Sequence, residues 1–423
     1  MRSSREQAYA AEIRPAPPRF SGVDAQLLRS TFAVVERRAE HAVAFFYSHL
    51  FWNNPGVREL FPEDIRPQRD RLFAALTHVV TKLDDPALSA YLAHLGRDHR
   101  KFLATPALYA AVGASLTAAF AHTAGAAWTV EAEKAWTEAY GYVADLMMRG
   151  AQEAAEDGEP AWWDAVVARH ERLGDDLAVL TLRPRRPFAY LPGQYASVSS
   201  LRVPRVWRTY SLANAARADG TVDLHISRIP GGAMSTALVD EVREGEPLRL
   251  SAPGGALISR TSPRAPRTYI AAGTGWAPVK ALLEEVAEGP KGTEARLFLV
   301  ARAKEYLYGR KDVARLKERI PGLNVTYIAS APDHPRDQAT ERLIHALYAC
   351  GNWPSHDVYL AGPPGFLAET VPVLKHLGAA RLHHDRLPTA GRLRPRPAST
   401  AEWLIEPPEP VWHNPEARTP RRP

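Results

Sequence analysis

The sequence has a single cysteine, Cys350, and this scarcity excludes two kinds of structure. A disulfide framework needs cysteine pairs and an iron–sulfur cluster normally needs four thiolates, so this chain alone builds neither. No apolar run is long enough to span a bilayer. Residues 1–18 carry arginines but lack the apolar centre of a secretory signal. We therefore expect a cytoplasmic protein without membrane insertion.

The sequence carries only a modest excess of positive charge. The chain has 53 lysines and arginines against 47 aspartates and glutamates, which gives a net charge of +6 and a pI near 9.3. No recognised nucleic-acid-binding motif accompanies this excess, so nucleic acid is not an expected partner. The basic residues favour solubility and the attraction of anionic cofactors. Nothing in the sequence indicates an oligomeric state.

Three regions with different apolar periods follow one another along the 423 residues, in keeping with roughly 150 residues per domain. Helical spacing without strand signals extends from Asp24 to about Gln152 and predicts an all-α domain. Short strand-like segments up to about Arg264 predict an antiparallel β-barrel, and alternating strands and helices from Arg267 predict an α/β domain with a parallel sheet. The predicted domains are 21–155, 160–264 and 265–388, flanked by a mobile extension at 1–20 and a disordered Pro/Arg-rich tail at 389–423.

The most informative motifs are Arg208-Thr209-Tyr210-Ser211 and, later, Gly273-Thr274-Gly275-Trp276-Ala277-Pro278. The second motif follows a predicted strand and opens a predicted helix, which is the context that a pyrophosphate-binding turn requires. Between them, Gly231-Gly232-Ala233-Met234-Ser235 offers glycines for close backbone approach and helix-start amides as phosphate donors. In this order the motifs resemble the ferredoxin-NADP⁺ reductase superfamily, which implies an FAD site followed by a nicotinamide site.

The resemblance implies a role for each motif residue. The Arg208 guanidinium would meet the FAD pyrophosphate bidentately, the Tyr210 ring would cover the isoalloxazine, and Ser211 would hydrogen-bond near flavin N5. The implied FAD-binding residues are Gln194, Tyr195, Arg208, Tyr210, Ser211, Gly231, Gly232, Met234 and Ser235. The implied nicotinamide-binding residues are Gly273, Thr274, Gly275, Ala277, Pro278, Gly362 and Pro363.

Two positions depart from the superfamily pattern. Ala361 stands where a cysteine usually lies beside the hydride path, and this change is expected to slow hydride transfer without abolishing it. Leu387 stands where relatives often carry an aromatic ring that shields the flavin, so either nicotinamide entry or flavin oxidation by oxygen becomes easier. The choice between NADH and NADPH stays open, because Arg302 and Lys304 are either partners of a 2′-phosphate or solvated loop charges.

The helical region carries Tyr47, Phe61, Gln68 and His99 in that order, and residues 22–150 resemble the globin part of the flavohaemoglobins. This resemblance implies haem b, with His99 as the axial iron ligand and Phe61 packed on the porphyrin. Oxygen on ferrous haem takes superoxide character, and the Tyr47 hydroxyl and the Gln68 amide would stabilise that negative charge.

Further expectations concern the proximal side, where the iron ligand lies. His94, on the turn before His99, is the alternative ligand, and Tyr109 occupies the position of the family's proximal tyrosine. The family carries a glutamate late in the last globin helix, whereas this chain has Ala151 there and Glu153 is off register. The usual carboxylate behind the iron ligand is therefore missing, and with it one means of tuning the iron potential.

A globin joined to such a reductase is the layout of the flavohaemoglobins, in which NAD(P)H reduces FAD and FAD reduces haem. The resemblance implies that oxygen-bound haem dioxygenates nitric oxide to nitrate, with Tyr47, Gln68 and Tyr109 as catalytic residues and oxygen and nitric oxide as substrates. Two alternatives stay open. One is a haem-based gas-binding or sensor protein whose reductase resets the iron, and the other is a haem-free NAD(P)H:acceptor flavin reductase.

Overall fold

A computed structural model describes residues 24–259, 266–290, 292–330, 338–351 and 353–385 of the chain. The predicted extension at 1–20, the predicted tail at 389–423 and Leu387 lie outside the described residues. Within them, helices, an antiparallel sheet and a parallel sheet follow one another in the predicted order.

The first region is helical. Its helices are α1 (Ala25–Glu36), α2 (Ala39–Asn53), α3 (Arg66–Thr81), α4 (Leu88–His99), α5 (Pro106–Ala124) and α6 (Val130–Glu156), with short 3₁₀ turns at Pro55–Leu60, Arg100–Phe102 and Gly125–Ala127. Polar side chains cap three helix starts by accepting a backbone N–H bond: Asp24 for α1, Thr105 for α5 and Thr129 for α6. These caps explain why the helices begin at these residues.

Helix α5 lies within the helical core. Its Leu116, Ala119 and Phe120 are buried, and the Phe120 ring packs edge-on against Trp136 of α6 with centroids 4.6 Å apart. Among the described residues, the segment Pro106–Ala127 is long and apolar enough to cross a membrane by length and composition. The expectation that no apolar run reaches that length is therefore wrong for this segment, although a core helix of a globular domain meets the same two criteria.

Helices α4 and α6 cross at close range. A Cβ added to Gly96 of α4 would lie 1.8 Å from the carbonyl oxygen of Met147 on α6, and one added to Gly150 would lie 2.1 Å from that of Ala93. Side-chain carbons do not approach backbone atoms so closely, so both positions require glycine. This contact holds α4, which ends at His99, firmly against α6.

The second region is a six-stranded antiparallel sheet with the strand order β4-β3-β6-β1-β2-β5. Its strands are β1 (Trp163–Arg172), β2 (Leu177–Pro184), β3 (Tyr195–Ser200), β4 (Val203–Ser211), β5 (Val222–Ser227) and β6 (Pro247–Leu250), with the one-turn helix α7 (Ala233–Thr236) after β5. The sheet curls, because Leu212, just after one edge strand, pairs with Leu224 in the other. Alternate residues such as Leu180 and Leu182 fill its interior. The predicted barrel thus takes the form of a curled sheet.

The third region is a parallel five-stranded sheet with the order β11-β10-β7-β8-β9. Its elements are β7 (Arg267–Ala272), α8 (Trp276–Glu288), β8 (Ala295–Ala301), α9 (Arg310–Arg319), β9 (Leu323–Ala329), α10 (Gln338–Cys350), β10 (Asp357–Ala361), α11 (Pro364–His376) and β11 (Arg381–His383). Neighbouring residues of β7 face opposite sides, since Tyr269 packs with α8 and α9 whereas Ile270 packs with α10 and α11. Helices therefore cover both faces, which explains the continuous buried runs of these strands.

Polar contacts join the two sheet regions. Lys280 Nζ of α8 donates to the carbonyl oxygen of Ala213 at 2.9 Å. Asp385, two residues after β11, accepts a hydrogen bond from the backbone N–H of Ala256 at 2.7 Å. Each of these two hydrogen bonds joins a residue of the parallel-sheet region to a residue of the curled-sheet region. Together they fix the position of one sheet relative to the other.

Candidate functional site

An aromatic cluster surrounds Tyr47 in the C-terminal half of α2. Tyr47 is only 5% exposed, and its ring centroid lies 5.7 Å from those of both Phe51 and Phe61. The Phe51 and Phe61 centroids are 5.3 Å apart. Burial raises the pKa of Tyr47 far above its ordinary value, so the phenol keeps its proton and stays a hydrogen-bond donor at neutral pH. We call Tyr47, Phe51 and Phe61 the distal cluster.

Gln68 lies in the first turn of α3. Its backbone N–H donates to the carbonyl oxygen of Ile65 at 3.0 Å. Its side-chain oxygen Oε1 is buried and has no hydrogen-bond partner among the described residues. Since a buried polar atom without a partner is costly, this orphaned oxygen fits a pocket that takes a bound group.

His99 is the last residue of α4. Its Nδ1 lies 2.8 Å from the carbonyl oxygen of Leu95, which makes Nδ1 the protonated nitrogen and leaves Nε2 to ligate a metal. Desolvation lowers the pKa of His99, which favours the neutral imidazole that an iron ligand needs. The Phe102 ring packs edge-on with its centroid 5.6 Å away. The imidazole therefore fits an axial haem ligand.

His94, the alternative ligand, has a different environment. It is exposed, and its Nε2 lies 3.6 Å from the point that a Cβ on Gly254 would occupy. Gly254 follows β6 in the curled sheet, so the His94 ring faces that sheet. This placement favours His99 over His94 as the residue that would hold a haem.

A cavity of about 760 Å³ lies next to Tyr109, between α5 and the C-terminal part of α6, and Ala151 lines it too. The Tyr109 hydroxyl is buried and has no hydrogen-bond partner among the described residues. Tyr140 donates its hydroxyl to the Tyr109 carbonyl oxygen at 2.6 Å, and Glu153 is exposed. The space beside Ala151, where the flavohaemoglobins carry a glutamate, is therefore open. We call the part around Tyr109 and Ala151 the proximal cavity.

The Arg-x-Tyr-Ser motif lies at the end of β4. In the ladder with β3, Arg208 pairs with Val198 and Tyr210 with Ala196, so both motif side chains leave the same face of the strand. Desolvation, followed by the charge of Arg208, lowers the pKa of Arg71 on α3. The positive charge of Arg208 thus acts on Arg71, and two such charges suit an anionic pyrophosphate.

The segment before β3 contains Gln194 and Tyr195. Gln194 Oε1 accepts a hydrogen bond from the backbone N–H of Leu191 at 2.8 Å, so this side chain closes the turn that leads into the strand. Tyr195 pairs with Ser211 in the β3–β4 ladder. The structure therefore brings Tyr195 and Ser211 together, whereas the Gln194 side chain stabilises the turn in which it lies.

Hydrogen bonds within the glycine loop before α7 stabilise its conformation. Ser235 Oγ accepts from the backbone N–H of Ile229 and donates to the carbonyl oxygen of Gly232, both at 3.0 Å. Met234 is buried in the core of the curled sheet. The side chains of Met234 and Ser235 are therefore used within the fold, and what the loop around Gly231 offers to a phosphate is its backbone amides.

The two predicted nicotinamide motifs adjoin. Gly273–Gly275 form a 3₁₀ turn between β7 and α8. A Cβ on Gly275 would lie 2.2 Å from the carbonyl oxygen of Ala361, at the end of β10, so the turn requires glycine for this approach. The carboxyl edge of a parallel sheet is where such folds bind ligands. The remaining predicted residues of the two motifs lie beside this edge: Thr274, Ala277, Pro278, Gly362 and Pro363.

The exposed Arg302 side chain, just after β8, makes an ion pair and a ring contact. Its Nη2 lies 3.0 Å from Asp176 Oδ2 in the turn between β1 and β2, and its guanidinium stacks 3.7 Å above the ring centroid of Tyr306. Lys304 begins the 3₁₀ turn Lys304–Tyr306. Arg302 thus joins the two sheet regions, and the choice between NADH and NADPH stays open.

Sequence reasoning missed Lys101, whose side chain is 4% exposed. It lies in the turn after α4 and contacts Ser197, 96 residues further along the chain. A lysine after a helix is ordinary, and no local pattern distinguishes this one from a surface residue. Only the meeting of the helical region with the curled sheet explains its burial.

Comparison with known proteins gives matches to three family models. They are a globin over residues 44–147, an oxidoreductase FAD-binding domain over 164–258 and an oxidoreductase NAD-binding domain over 269–371. The chain is 29% identical over 393 residues to a flavohemoprotein of Chromobacterium violaceum, covering 85% of this chain and 96% of that protein. It is 24% identical over 388 residues to one of Bacillus subtilis, covering 85% and 95%. The chain belongs to the flavohaemoprotein family.

The fold of this flavohaemoprotein is also that of a solved relative. It matches the crystal structure of the flavohemoglobin from Malassezia yamatoensis, which has bound FAD and haem, with a TM-score of 0.70 and 19% identity over 85% of this chain and 97% of that one. The protein is an NAD(P)H-dependent oxidoreductase in which electrons pass from NAD(P)H through FAD to haem. The predictions of family, fold class and cofactors are confirmed.

Proposed function

We propose that this flavohaemoprotein is a nitric oxide dioxygenase, which converts nitric oxide and oxygen to nitrate with electrons from NAD(P)H. The observation that carries the proposal is the distal cluster, in which the buried Tyr47 side chain, protonated because burial raises its pKa, packs its ring against Phe51 and Phe61. The orphaned Gln68 oxygen and the His99 imidazole support it, because they offer an amide to the gas side and a ligand to the iron.

Bound haem supplies the iron at which the two gases react. Tyr47 would offer its hydroxyl hydrogen to bound oxygen that gains negative charge, and burial, which raises the pKa of Tyr47, keeps the proton on the phenol. The Phe51 and Phe61 rings pack against the Tyr47 ring and hold it in place, so its hydroxyl is already positioned before a ligand binds. Gln68 would offer its amide N–H to the same oxygen, and His99 would hold the haem iron through Nε2.

FAD would take the hydride from NAD(P)H and pass single electrons to haem, and the residues of the two sheet regions would hold the two cofactors. Arg208 would neutralise the FAD pyrophosphate, Tyr210 would cover the isoalloxazine, and the Gly273–Gly275 turn would hold the nicotinamide pyrophosphate. We assign 21–155 to the haem domain, 160–264 to the FAD domain and 265–388 to the NAD(P) domain. Oxygen, nitric oxide and NAD(P)H are the proposed small-molecule partners, and the proposed location is the cytoplasm, where a chain with the single cysteine Cys350 stays reduced.

An anaerobic absorption spectrum before and after addition of NADH, and then NADPH, is the first test. We expect a Soret band that shifts to the ferrous form while the flavin bleaches, which also identifies the preferred nicotinamide. Nitric oxide consumption is then followed with an electrode in aerated buffer, and nitrate is assayed. Rapid, cofactor-dependent consumption with nitrate as product supports the proposal. Flavin bleaching without a haem band would instead leave a haem-free reductase.

A gas-binding or sensor protein whose reductase resets the iron is the second candidate, and the proximal cavity favours it. Ala151 replaces the glutamate that normally tunes the iron, and the Tyr109 hydroxyl is left without a partner among the described residues. This candidate predicts a ferrous haem that binds oxygen, together with slow nitric oxide consumption that NADH does not accelerate.

A further inference from the structure

Lys101 makes a buried bridge between the haem side and the flavin side of the molecule. Its Nζ lies 2.5 and 2.7 Å from the two carboxylate oxygens of Asp98, one residue before His99. The same Nζ donates to Ser197 Oγ at 3.3 Å, in β3 of the curled sheet. The lysine therefore ties the turn that carries the proposed iron ligand to a strand of the FAD-binding domain.

Aromatic rings from both sides enclose the Lys101 ammonium group. Nζ lies 5.2 Å from the ring centroid of Phe102, in the turn after α4, and 5.6 Å from that of Trp207 in β4. Both distances are within the range of cation–π attraction. Trp207 directly precedes Arg208, the first residue of the flavin motif.

The bridge continues into the flavin motif through Ser197. In the β3–β4 ladder Ser197 pairs with Thr209, and the two side-chain oxygens lie 3.4 Å apart. Thr209 is the residue between Arg208 and Tyr210. A continuous run of polar contacts thus leads from the residue before His99 to the centre of the Arg-x-Tyr-Ser motif.

Burial of an ammonium group is costly, and pairing it with one carboxylate often does no more than offset that cost. The buried ion pair is therefore weak evidence for a role in stability, whereas its contacts restrict how the two domains approach each other. The rate of electron transfer depends on the distance and orientation at which the two cofactors are held. These contacts therefore indicate that Lys101 positions the helical domain relative to the FAD-binding domain.

We propose that Lys101 is a positioning residue for electron transfer from flavin to haem. It holds the His99 turn against β3 and β4 and so sets the approach of the two cofactors. One hydride from NAD(P)H brings two electrons to FAD, and each ferric iron takes one, so each hydride supports two transfers through this contact. The inference rests on the proposed assignment of His99 as iron ligand and on no particular gas chemistry.

The first test separates the two half-reactions by anaerobic stopped-flow absorption of the full-length holoenzyme. Lys101→Met keeps the aliphatic stem but removes the charge. We expect flavin reduction by NADH to change less than about twofold, and haem reduction by the flavin to slow roughly tenfold or more. Lys134→Met, on an exposed lysine of α6, is the matched control and should leave both rates unchanged.

The outcomes distinguish the inference from the proposed function. Unchanged haem reduction in Lys101→Met, or an equal slowing of both half-reactions, would overturn the inference and leave the dioxygenase proposal intact. A wild-type protein whose haem is reduced but does not consume nitric oxide would overturn the dioxygenase proposal and leave the inference standing. Lys101→Arg, which keeps the charge, should restore part of the haem reduction rate, because a purely steric role would not be rescued by it.

A second test measures local opening and not activity. Hydrogen–deuterium exchange of the full-length holoprotein should show faster exchange in Lys101→Met at peptides that cover residues 98–104 and 195–200, and little change elsewhere. Ser197→Ala, a small change on the other side of the bridge, should produce the same pattern. If Lys101→Met accelerates exchange only around residues 98–104, the residue supports its own turn and the interdomain role is wrong. Additive effects of the two substitutions on electron transfer would equally contradict a shared bridge.

Discussion

The distal cluster and the proximal cavity differ in how completely the chain fills the space around them. Tyr47, Phe51 and Phe61 pack with ring centroids 5.3 to 5.7 Å apart. Around Tyr109 and Ala151, by contrast, lies a cavity of about 760 Å³ and a buried hydroxyl without a partner among the described residues. The side proposed to meet the gas is enclosed, whereas the side proposed to tune the iron is open. A protein of this family is thus able to keep the distal groups while its proximal groups change.

The largest expected effect comes from removal of the proximal anchor. His99→Ala should lower haem content by more than roughly tenfold, since the axial ligand is lost and weaker changes around a metal ligand already cost that much. Haem content is measured from the Soret absorbance per protein. His94→Ala is the matched control and should retain haem. If His94→Ala loses haem and His99→Ala keeps it, the assignment of the proximal side is wrong.

Next in size is loss of the distal donor. Tyr47→Phe removes one hydroxyl from a tightly packed cluster and should slow nitric oxide consumption roughly tenfold to a hundredfold, because one preorganised donor contributes on this scale. Oxygen dissociation from the ferrous protein should become faster. Tyr91→Phe, on an exposed tyrosine of α4, should change neither rate. Equal rates in Tyr47→Phe and wild type would show that the enclosed side does not act on the gas.

The helix crossing that supports the proximal side provides a stability test. Gly96→Ala places a Cβ against the Met147 carbonyl oxygen and should destabilise the protein by about 1 to 3 kcal/mol, with altered haem absorption because α4 must shift. Gly141→Ala, in α6, meets no atom within 4 Å and should stabilise the helix by about 0.5 to 1 kcal/mol. Urea unfolding measures both. A neutral Gly96→Ala would show that the crossing is not close in solution.

A larger side chain in the proximal cavity should make that side more closely filled, as the distal cluster is. Ala151→Glu introduces a carboxylate into the cavity that Tyr109 lines, and we expect a lower reduction potential of the iron because negative charge favours the ferric form. A spectroelectrochemical titration measures the potential. Ala155→Glu adds the same charge at an exposed position of α6 and should shift the potential much less. Equal shifts in the two variants would indicate a general charge effect only.

The smallest expected effect is a pH dependence on the distal side. Burial raises the pKa of Tyr47 above the value of about 10 that tyrosine has when unfolded, so the unfolded chain loses this proton first. The contribution to stability is therefore complete below about pH 10 and decreases as the pH rises above it. Comparison of urea unfolding of wild type and Tyr47→Phe at about pH 9 and 10.5 should show a steeper loss in wild type. Parallel losses would contradict the buried, protonated phenol.

Much of the fold was predictable because the apolar residues of each region recur with a spacing typical of its secondary structure. Strands such as Val222–Ser227, Ala295–Ala301 and Asp357–Ala361 are short apolar runs between turn residues, and such runs are local signals. The candidate site residues remain predictions whose placement fits their proposed roles to different degrees. His99 and Tyr47 have the expected surroundings, whereas Gln194, Met234 and Ser235 use their side chains within the fold.

The sequence by itself determined the order of the three domains, the family and the cofactor set, because apolar periods and glycine-containing motifs are properties of consecutive residues. Only the tertiary structure decided that Gly96 meets Met147, that Arg302 pairs with Asp176 and that Lys101 is buried against Ser197. The physical reason is that burial and pairing of such residues depend on segments far apart in the chain, which local patterns do not record.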